Sequence, residues 1–200
     1  MKYCHRCLQP DTRPGTKFTD DGICPACNYF EKLENVDWEE RYEILIDLLQ
    51  TRKERRNQKS PFDCIIGVSG GKDSTRQALW IRDKLGLNLL LVCLSYPPEQ
   101  VTERGVSNLS NLIELGFDVV VSAPAPQTWQ RLMRKGFLRF TNWCKSTELA
   151  LFSSVPNLAI HYGIDLILWG ENPGLQLGDL KTLGKTGYDG NNLRNMNTLA

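Results

Sequence analysis

The stretch Phe62-Asp63-Cys64-Ile65-Ile66-Gly67-Val68-Ser69-Gly70-Gly71-Lys72-Asp73-Ser74-Thr75 constrains everything around it. Ile65, Ile66 and Val68 form a short, β-branched apolar run of the kind that is buried on both faces in a parallel sheet. Gly70 and Gly71 follow at once, so the chain leaves the strand through a tight turn whose backbone N–H groups can face a ligand without a Cβ in the way. Ser74 and Thr75 then open a helical stretch through Leu85, closed by Gly86. A helix N-terminus placed there directs free N–H groups and a positive dipole end at an anion. The side chains suggest phosphate. Lys72 is a point charge, Ser69 and Ser74 are hydroxyl donors, and Asp73 is a carboxylate able to hold a Mg²⁺ that bridges phosphate oxygens.

A Walker A loop would need glycine at position 66 and Ser or Thr at position 73. Those positions are Ile66 and Asp73, so that reading fails twice. Ser69 to Ser74 instead resembles the Ser-Gly-Gly-x-Asp-Ser pyrophosphate loop of the N-type ATP pyrophosphatases, which release pyrophosphate and place AMP on a substrate oxygen. The resemblance implies ATP and Mg²⁺ as ligands, with Ser69, Gly70, Gly71, Lys72, Asp73 and Ser74 around the pyrophosphate and Lys72 and Asp73 as the catalytic pair. The competing reading is a plain glycine turn between strand and helix with Lys72 solvated.

Beyond Pro61 the chain alternates. Strand patterns at 63–68, 88–95, 117–123 and 165–170 are separated by helical stretches at 74–85, 101–115 and 126–162, the last read as two helices. This predicts an α/β domain over 61–200, a parallel sheet with helices on both faces, Rossmann-like and similar to the adenine nucleotide alpha hydrolases. Ligands of such sheets sit beyond the carboxyl ends of the strands. Those ends carry Ser69 to Ser74, Ser95-Tyr96-Pro97-Pro98, Ala123 to Pro126 and Gly170-Glu171-Asn172-Pro173. The strand order 3-2-1-4 of the resembled fold would turn Glu171 toward the phosphate loop as a metal or substrate contact. Against that stands a solvated loop carboxylate. The end of strand two, around Leu94 and Ser95, would cradle adenine or ribose.

Seven cysteines call for arithmetic. Cys4 and Cys7, then Cys24 and Cys27, form two Cys-x2-Cys knuckles around turn formers such as Pro14, Gly15 and Gly22. In a reducing compartment they predict a structural Zn²⁺ held by four thiolates in a ribbon over 1–36, with no open coordination position. An iron–sulfur cluster and two disulfides are the alternatives. His5 lies within the first knuckle and is not needed as a ligand. Cys64 and Cys93 read as small core residues. Cys144, between Trp143 and Lys145, is expected to be buried as well.

Residues 37–60 read as a linker, helical through 58, with Asp37 as N-cap, Glu40 completing the capping box, and Trp38, Tyr42, Leu45, Leu48 and Leu49 on one face. Its basic end is favourable at a helix C-terminus without any RNA. Trp129, Leu132, Met133, Phe137 and Phe140 recur at helical spacing, with Arg131, Arg134, Lys135 and Arg139 between them, as an amphipathic helix with a basic outer face. The formal net charge of +1 offers no global attraction to nucleic acid or an anionic membrane. No apolar run approaches a membrane span and Met1-Lys2-Tyr3-Cys4 is no signal peptide, so a cytoplasmic protein is expected. The tail from Gly174 is rich in glycine and asparagine, fits a loop over the strand ends, and suggests a domain incomplete at its C-terminus.

The cysteine ribbon, the Ser69–Ser74 loop, Trp169-Gly170-Glu171-Asn172-Pro173 and Gly187-Tyr188-Asp189-Gly190-Asn191-Asn192 together resemble the N-acetyl sugar amidotransferase family of surface-polysaccharide (lipopolysaccharide, O-antigen) biosynthesis. The resemblance implies that ATP adenylylates the acetamido group of a nucleotide-activated sugar and that ammonia then gives an acetamidino group. It also implies separate glutaminase and cyclase-like partners that deliver ammonia. Consistently, residue 2 is Lys rather than a glutaminase cysteine, and Cys64, Cys93 and Cys144 sit in no nucleophile elbow. A tRNA thiolation enzyme with the same phosphate loop is the alternative. A third reading is a zinc-ribbon interaction module with a vestigial ATP site.

Overall fold

In the computed structural model, residues 1–12, 16–55 and 60–170 are described. They fall into two compact units, one within Met1–Asn57 and one within Gln58–Gly170. Glu171, the tail beyond it, Pro14, Gly15 and Lys59 lie outside the described residues.

In the first unit a turn through Cys4–Leu8 is closed by an antiparallel bridge between Tyr3 and Pro10. Helix α1, Pro25–Leu33, starts at the second knuckle. Its N-cap is Cys24, whose side chain accepts from the Cys27 N–H, and Pro25 occupies N1, where a missing N–H costs nothing. The expectation of two knuckles on short turns is thereby corrected: the second knuckle is the first turn of a helix. Arg6 pairs with Glu31 of α1. Helix α2, Trp38–Arg55, begins as predicted, with Asp37 Oδ1 accepting from the N–H groups of Glu39 and Glu40 at 3.0 Å each. Its apolar stripe is not sequestered, since Trp38, Tyr42 and Leu48 are exposed.

The second unit is a parallel sheet of β1 (Cys64–Gly67), β2 (Leu89–Leu94), β3 (Asp118–Ser122) and β4 (Ile167–Leu168) in the order β3-β2-β1-β4. Between them run α3 (Lys72–Leu85), α4 (Glu103–Glu114), α5 (Pro126–Phe140) and α6 (Lys145–Tyr162). The register pairs Cys64 with Leu89 and Leu90 with Asp118. Side chains of a strand alternate between faces, so the two central strands feed two separate cores. Cys64, Ile66, Val68, Leu89 and Leu91 pack with Ala78 and Ile81 of α3, Leu112 of α4 and Phe117. Ile65, Leu90 and Val92 pack with Val155 and Ala159 of α6 and with Ile164. Helices therefore cover both faces, as the fully apolar β1 and β2 require.

Arg82 ties this layer together. Its guanidinium lies 4.6 Å from the Phe117 ring centroid, and its Nη1 donates to the Leu115 carbonyl at 2.6 Å, fixing the end of α3 to the turn after α4. Gly86 closes α3 at φ +63, with its N–H on the Arg82 carbonyl. No helix among the described residues is long and apolar enough to cross a membrane.

Candidate functional site

β1 hands the chain to the loop with the ladder still running, because the Val68 N–H donates to the Val92 carbonyl at 2.8 Å. Gly70 then takes φ +71, a left-handed value that costs a residue bearing a Cβ about 1–2 kcal/mol. Space forbids that Cβ as well: it would stand 2.7 Å from the Asn108 carbonyl oxygen and 2.8 Å from Asn108 Cβ. The loop is thus pressed against α4. Gly71, extended at φ −69 and ψ 167, is the N-cap of α3 and offers no side chain to its first turn. A Cβ on Gly71 would meet little beyond Ser69 Oγ at 3.4 Å, so its surroundings are open.

Within this turn Ser69 Oγ accepts from the Gly71 N–H at 3.4 Å and the Ser74 hydroxyl donates to the Gly71 carbonyl at 3.2 Å. Lys72 and Asp73 are exposed in the first turn of α3. The helix begins at Lys72 rather than Ser74, because the left-handed Gly70 and extended Gly71 complete the turn sooner than the sequence pattern suggested. The structure brings Ser69 to Ser74 together in one strand-turn-helix element able to receive an anion. A lone carboxylate there suits a Mg²⁺ that draws its remaining ligands from phosphate and water. Among the described residues Asp73 belongs to no group of three or more metal-ligating side chains.

Neighbouring strand ends complete the rim. Ser95 follows β2, with its N–H on the Ser122 carbonyl at 2.8 Å and its hydroxyl on the Tyr96 carbonyl at 3.1 Å, so its backbone is pinned to the end of β3. Gly170 follows β4, on the other side of β1; a Cβ on it would come within 2.6 Å of Gln77 Oε1 of α3. That oxygen is buried without a hydrogen-bond partner among the described residues. Glu171 itself lies outside the described residues.

Sequence reasoning missed two rim features. Tyr96 stacks on Trp129 of α5, with centroids 5.5 Å apart and planes at 19°, joining the exits of β2 and β3. The Trp129 indole is buried, and its Nε1 has no partner among the described residues. The second feature is Lys145. Phe152 packs on Trp169, while Val155 reaches Gly67, and Ala159 and Ile164 lie deeper in the Ile65 cluster. Helix α6 therefore runs against the strand direction, and its start lies about two turns beyond Phe152, outside the carboxyl ends of the strands. Lys145 is buried there, and burial pulls its ammonium below its usual range, partly opposed by Glu148.

Cys144, expected inside, is exposed instead. It belongs to the α5–α6 turn, where its N–H donates to Asn142 Oδ1 at 3.0 Å; the turn points Lys145 inward in its place. Of the other cysteines, Cys64 is fully buried and Cys93 half-buried, with its thiol pushed up by burial. Phe137 departs from the expected apolar stripe of α5, being exposed while Trp129 is enclosed.

In the first unit the ligating atoms of Cys4, Cys7, Cys24 and Cys27 all lie within 4.8 Å of one another. A tetrahedral Zn²⁺ with bonds of about 2.3 Å places its sulfurs about 3.8 Å apart, and Cys7 Sγ stands 3.6 Å from Cys24 Sγ. Donor set and spacing fit a metal. Burial tends to raise the Cys4 thiol, yet N–H donors from Cys24, Cys7 and Arg6 outweigh it and bring it down to about 6, while burial and neighbouring sulfurs push Cys27 up. His5 is not a fifth donor in this group; its ring packs on Gly22.

The sequence matches no protein-family model and no curated protein. Solved structures similar to it include an ammonia-dependent NAD synthetase from Campylobacter jejuni subsp. jejuni, at a TM-score of 0.49 and 18% identity over 72% of this chain and 61% of that one. An NMN synthetase from Francisella tularensis gives 0.48 and 18% over 69% and 56%. A predicted subunit of tRNA methyltransferase from Methanocaldococcus jannaschii gives 0.40 and 19% over 60% and 57%. The chain spans about 61% of the length of the first of these.

Proposed function

We propose that the chain is an ATP-dependent, AMP- and pyrophosphate-forming amidotransferase acting on the acetamido group of a nucleotide-activated N-acetyl sugar, in surface-polysaccharide biosynthesis. The observation that supports it most is the Ser69–Ser74 element: glycines at φ +71 and at an uncapped helix start, with Lys72 and Asp73 exposed beside them.

An amide oxygen leaves poorly as hydroxide. In the proposed reaction it attacks the α-phosphorus of ATP, the bond to the β-phosphate oxygen breaks, and pyrophosphate departs. Ammonia adds to the imidate carbon, and the C–O bond to AMP breaks to leave an acetamidino group. Charge would gather on the departing pyrophosphate, and in this scheme the free N–H groups at the start of α3 and Lys72 would stabilise it in the transition state more than in the substrate. Asp73 would hold the Mg²⁺, which supplies further charge neutralisation. The residues bring no nucleophile of their own to this scheme; ammonia would come from separate glutaminase and cyclase-like proteins.

The experiment is pyrophosphate release from ATP, Mg²⁺ and ammonium, with UDP-acetamido sugars or bulk tRNA as acceptor. Sugar-dependent release is expected, falling by about 10²–10³ in Lys72→Ala, the scale of losing one transition-state donor. Unchanged release in that variant would sink the loop assignment. The exposure of Cys144, at the start of α6, favours one second reading, a tRNA thiolation enzyme. Release with tRNA alone would select it.

A further inference from the structure

Helix α3 carries Lys72, Arg76, Trp80 and Lys84 at intervals of four residues, one line along one face. These four residues line a groove of about 440 Å³ that starts at Gly70 and is walled on the far side by Asn111 of α4. Lys72, Arg76 and Lys84 are exposed, and Trp80 is 40% exposed. Adjacent members of the line stand about 6 Å apart along the helix axis. A flat ring between two cations, with a third cation at the phosphate loop, has the chemistry of a site for an aromatic ring joined to an anion.

We propose that this groove binds the nucleoside diphosphate part of the acceptor. The base stacks on Trp80, its edge within reach of Asn111 and Asp83. The diphosphate meets Arg76, and the attached sugar extends past Lys72 toward the phosphate loop, where its acetamido oxygen can meet the α-phosphate of ATP. Asp83 does not oppose the anion as a bare charge, because Arg82 holds its Oδ1 at 2.8 Å. Thr75, whose buried Oγ1 has no hydrogen-bond partner among the described residues, also lines the groove. The groove spans little more than the three helical turns from Lys72 to Lys84, and a chain of net charge +1 exerts no long-range pull on a polyanion, so a small nucleotide fits better than an RNA strand.

The assignment rests on the reading of the acceptor as a nucleotide-linked sugar, and the test reads binding rather than turnover so that the two can fail separately. UDP, GDP, CDP and dTDP are titrated calorimetrically into the full chain without ATP, and then again with saturating pyrophosphate to occupy the phosphate loop. At least one diphosphate is expected to bind in both cases. Arg76→Ala and Trp80→Leu should each weaken it by about tenfold or more, while Arg76→Lys and Trp80→Phe recover part of the loss. Pyrophosphate binding should stay unchanged in all four variants, which also reports that they are folded. The proposal is overturned if no diphosphate binds, if pyrophosphate displaces the one that does, if Arg76 and Trp80 prove indifferent, or if a single-stranded RNA binds through those residues more tightly than any diphosphate. Binding through Arg76 and Trp80 without sugar-dependent pyrophosphate release would keep the groove and discard the amidotransferase reading.

Discussion

The two candidate binding elements of this chain are made from opposite materials. In the first unit four sulfurs converge within 4.8 Å, and the backbone around them is turns and one short helix. In the second unit the candidate element is chiefly backbone, held in place by a strand ladder, a left-handed glycine and the start of α3. A site made of side chains is lost with a single atom substitution; a site made of backbone is lost when the chain can no longer follow its path. Among the described residues of the first unit only Cys4 and Cys24 are buried, so a bound metal would contribute much of its folding free energy. The second has two apolar clusters built without any side chain of the Ser69–Ser74 loop.

The largest effect that could break this contrast is Cys24→Ser. A structural Zn²⁺ supplies on the order of 10 kcal/mol or more to a small domain. The variant is expected to lose bound zinc, measured by elemental analysis, and protease resistance in residues 1–36, with pyrophosphate binding intact. Full metal content would remove the four-thiolate site. Next comes Gly70→Ala, which leaves every donor atom in place. The left-handed φ and the Asn108 backbone at 2.7 Å predict a loss of about 1–3 kcal/mol in denaturant unfolding together with weaker pyrophosphate binding. If only stability changed, side chains rather than backbone would hold the anion.

The smallest effect asks whether the second unit also leans on one side-chain charge. Lys145 has a folded-state pKa below its usual 10.5, so between those two values the unfolded chain binds the extra proton. Stability should therefore rise with pH across that window and level off near pH 10.5. Lys145→Met should flatten that slope in melts recorded from pH 8 to 10.5; an unaltered slope would assign it to another group.

The fold was legible because its signals are local. Ile65-Ile66 and Leu89 to Leu94 are continuous apolar runs, and a strand buried on both faces needs nothing else. The glycine turn between β1 and α3 was legible for the same reason: its glycines serve backbone angles that neighbouring residues set. Features fixed by distant contacts were not. Whether Cys144 or Lys145 turns inward depends on how α5 meets α6, where the Ser146 hydroxyl donates to the Leu132 carbonyl and Gly136 admits the close approach. The Tyr96–Trp129 stack joins residues from two strand exits and has no local signature. Helix α1 could have been found, since Pro25 at N1 followed by Tyr29, Phe30 and Leu33 is a helix start with an apolar face. The line of Lys72, Arg76, Trp80 and Lys84 was equally visible as spacing, but needed α4 to become a groove.

The bare first turn of α3 reaches beyond catalysis. With glycine at the N-cap, a helix start without a side-chain cap forgoes only a few tenths of a kcal/mol that Ser, Thr or Asp there would contribute. An anion seated on those N–H groups makes good the deficit, and at a hundred times its dissociation constant it adds about 2.7 kcal/mol to the folded state. An anionic ligand there would be a structural component on loan: when its supply fell, the chain would grow easier to unfold and to digest, so its abundance would track the ligand.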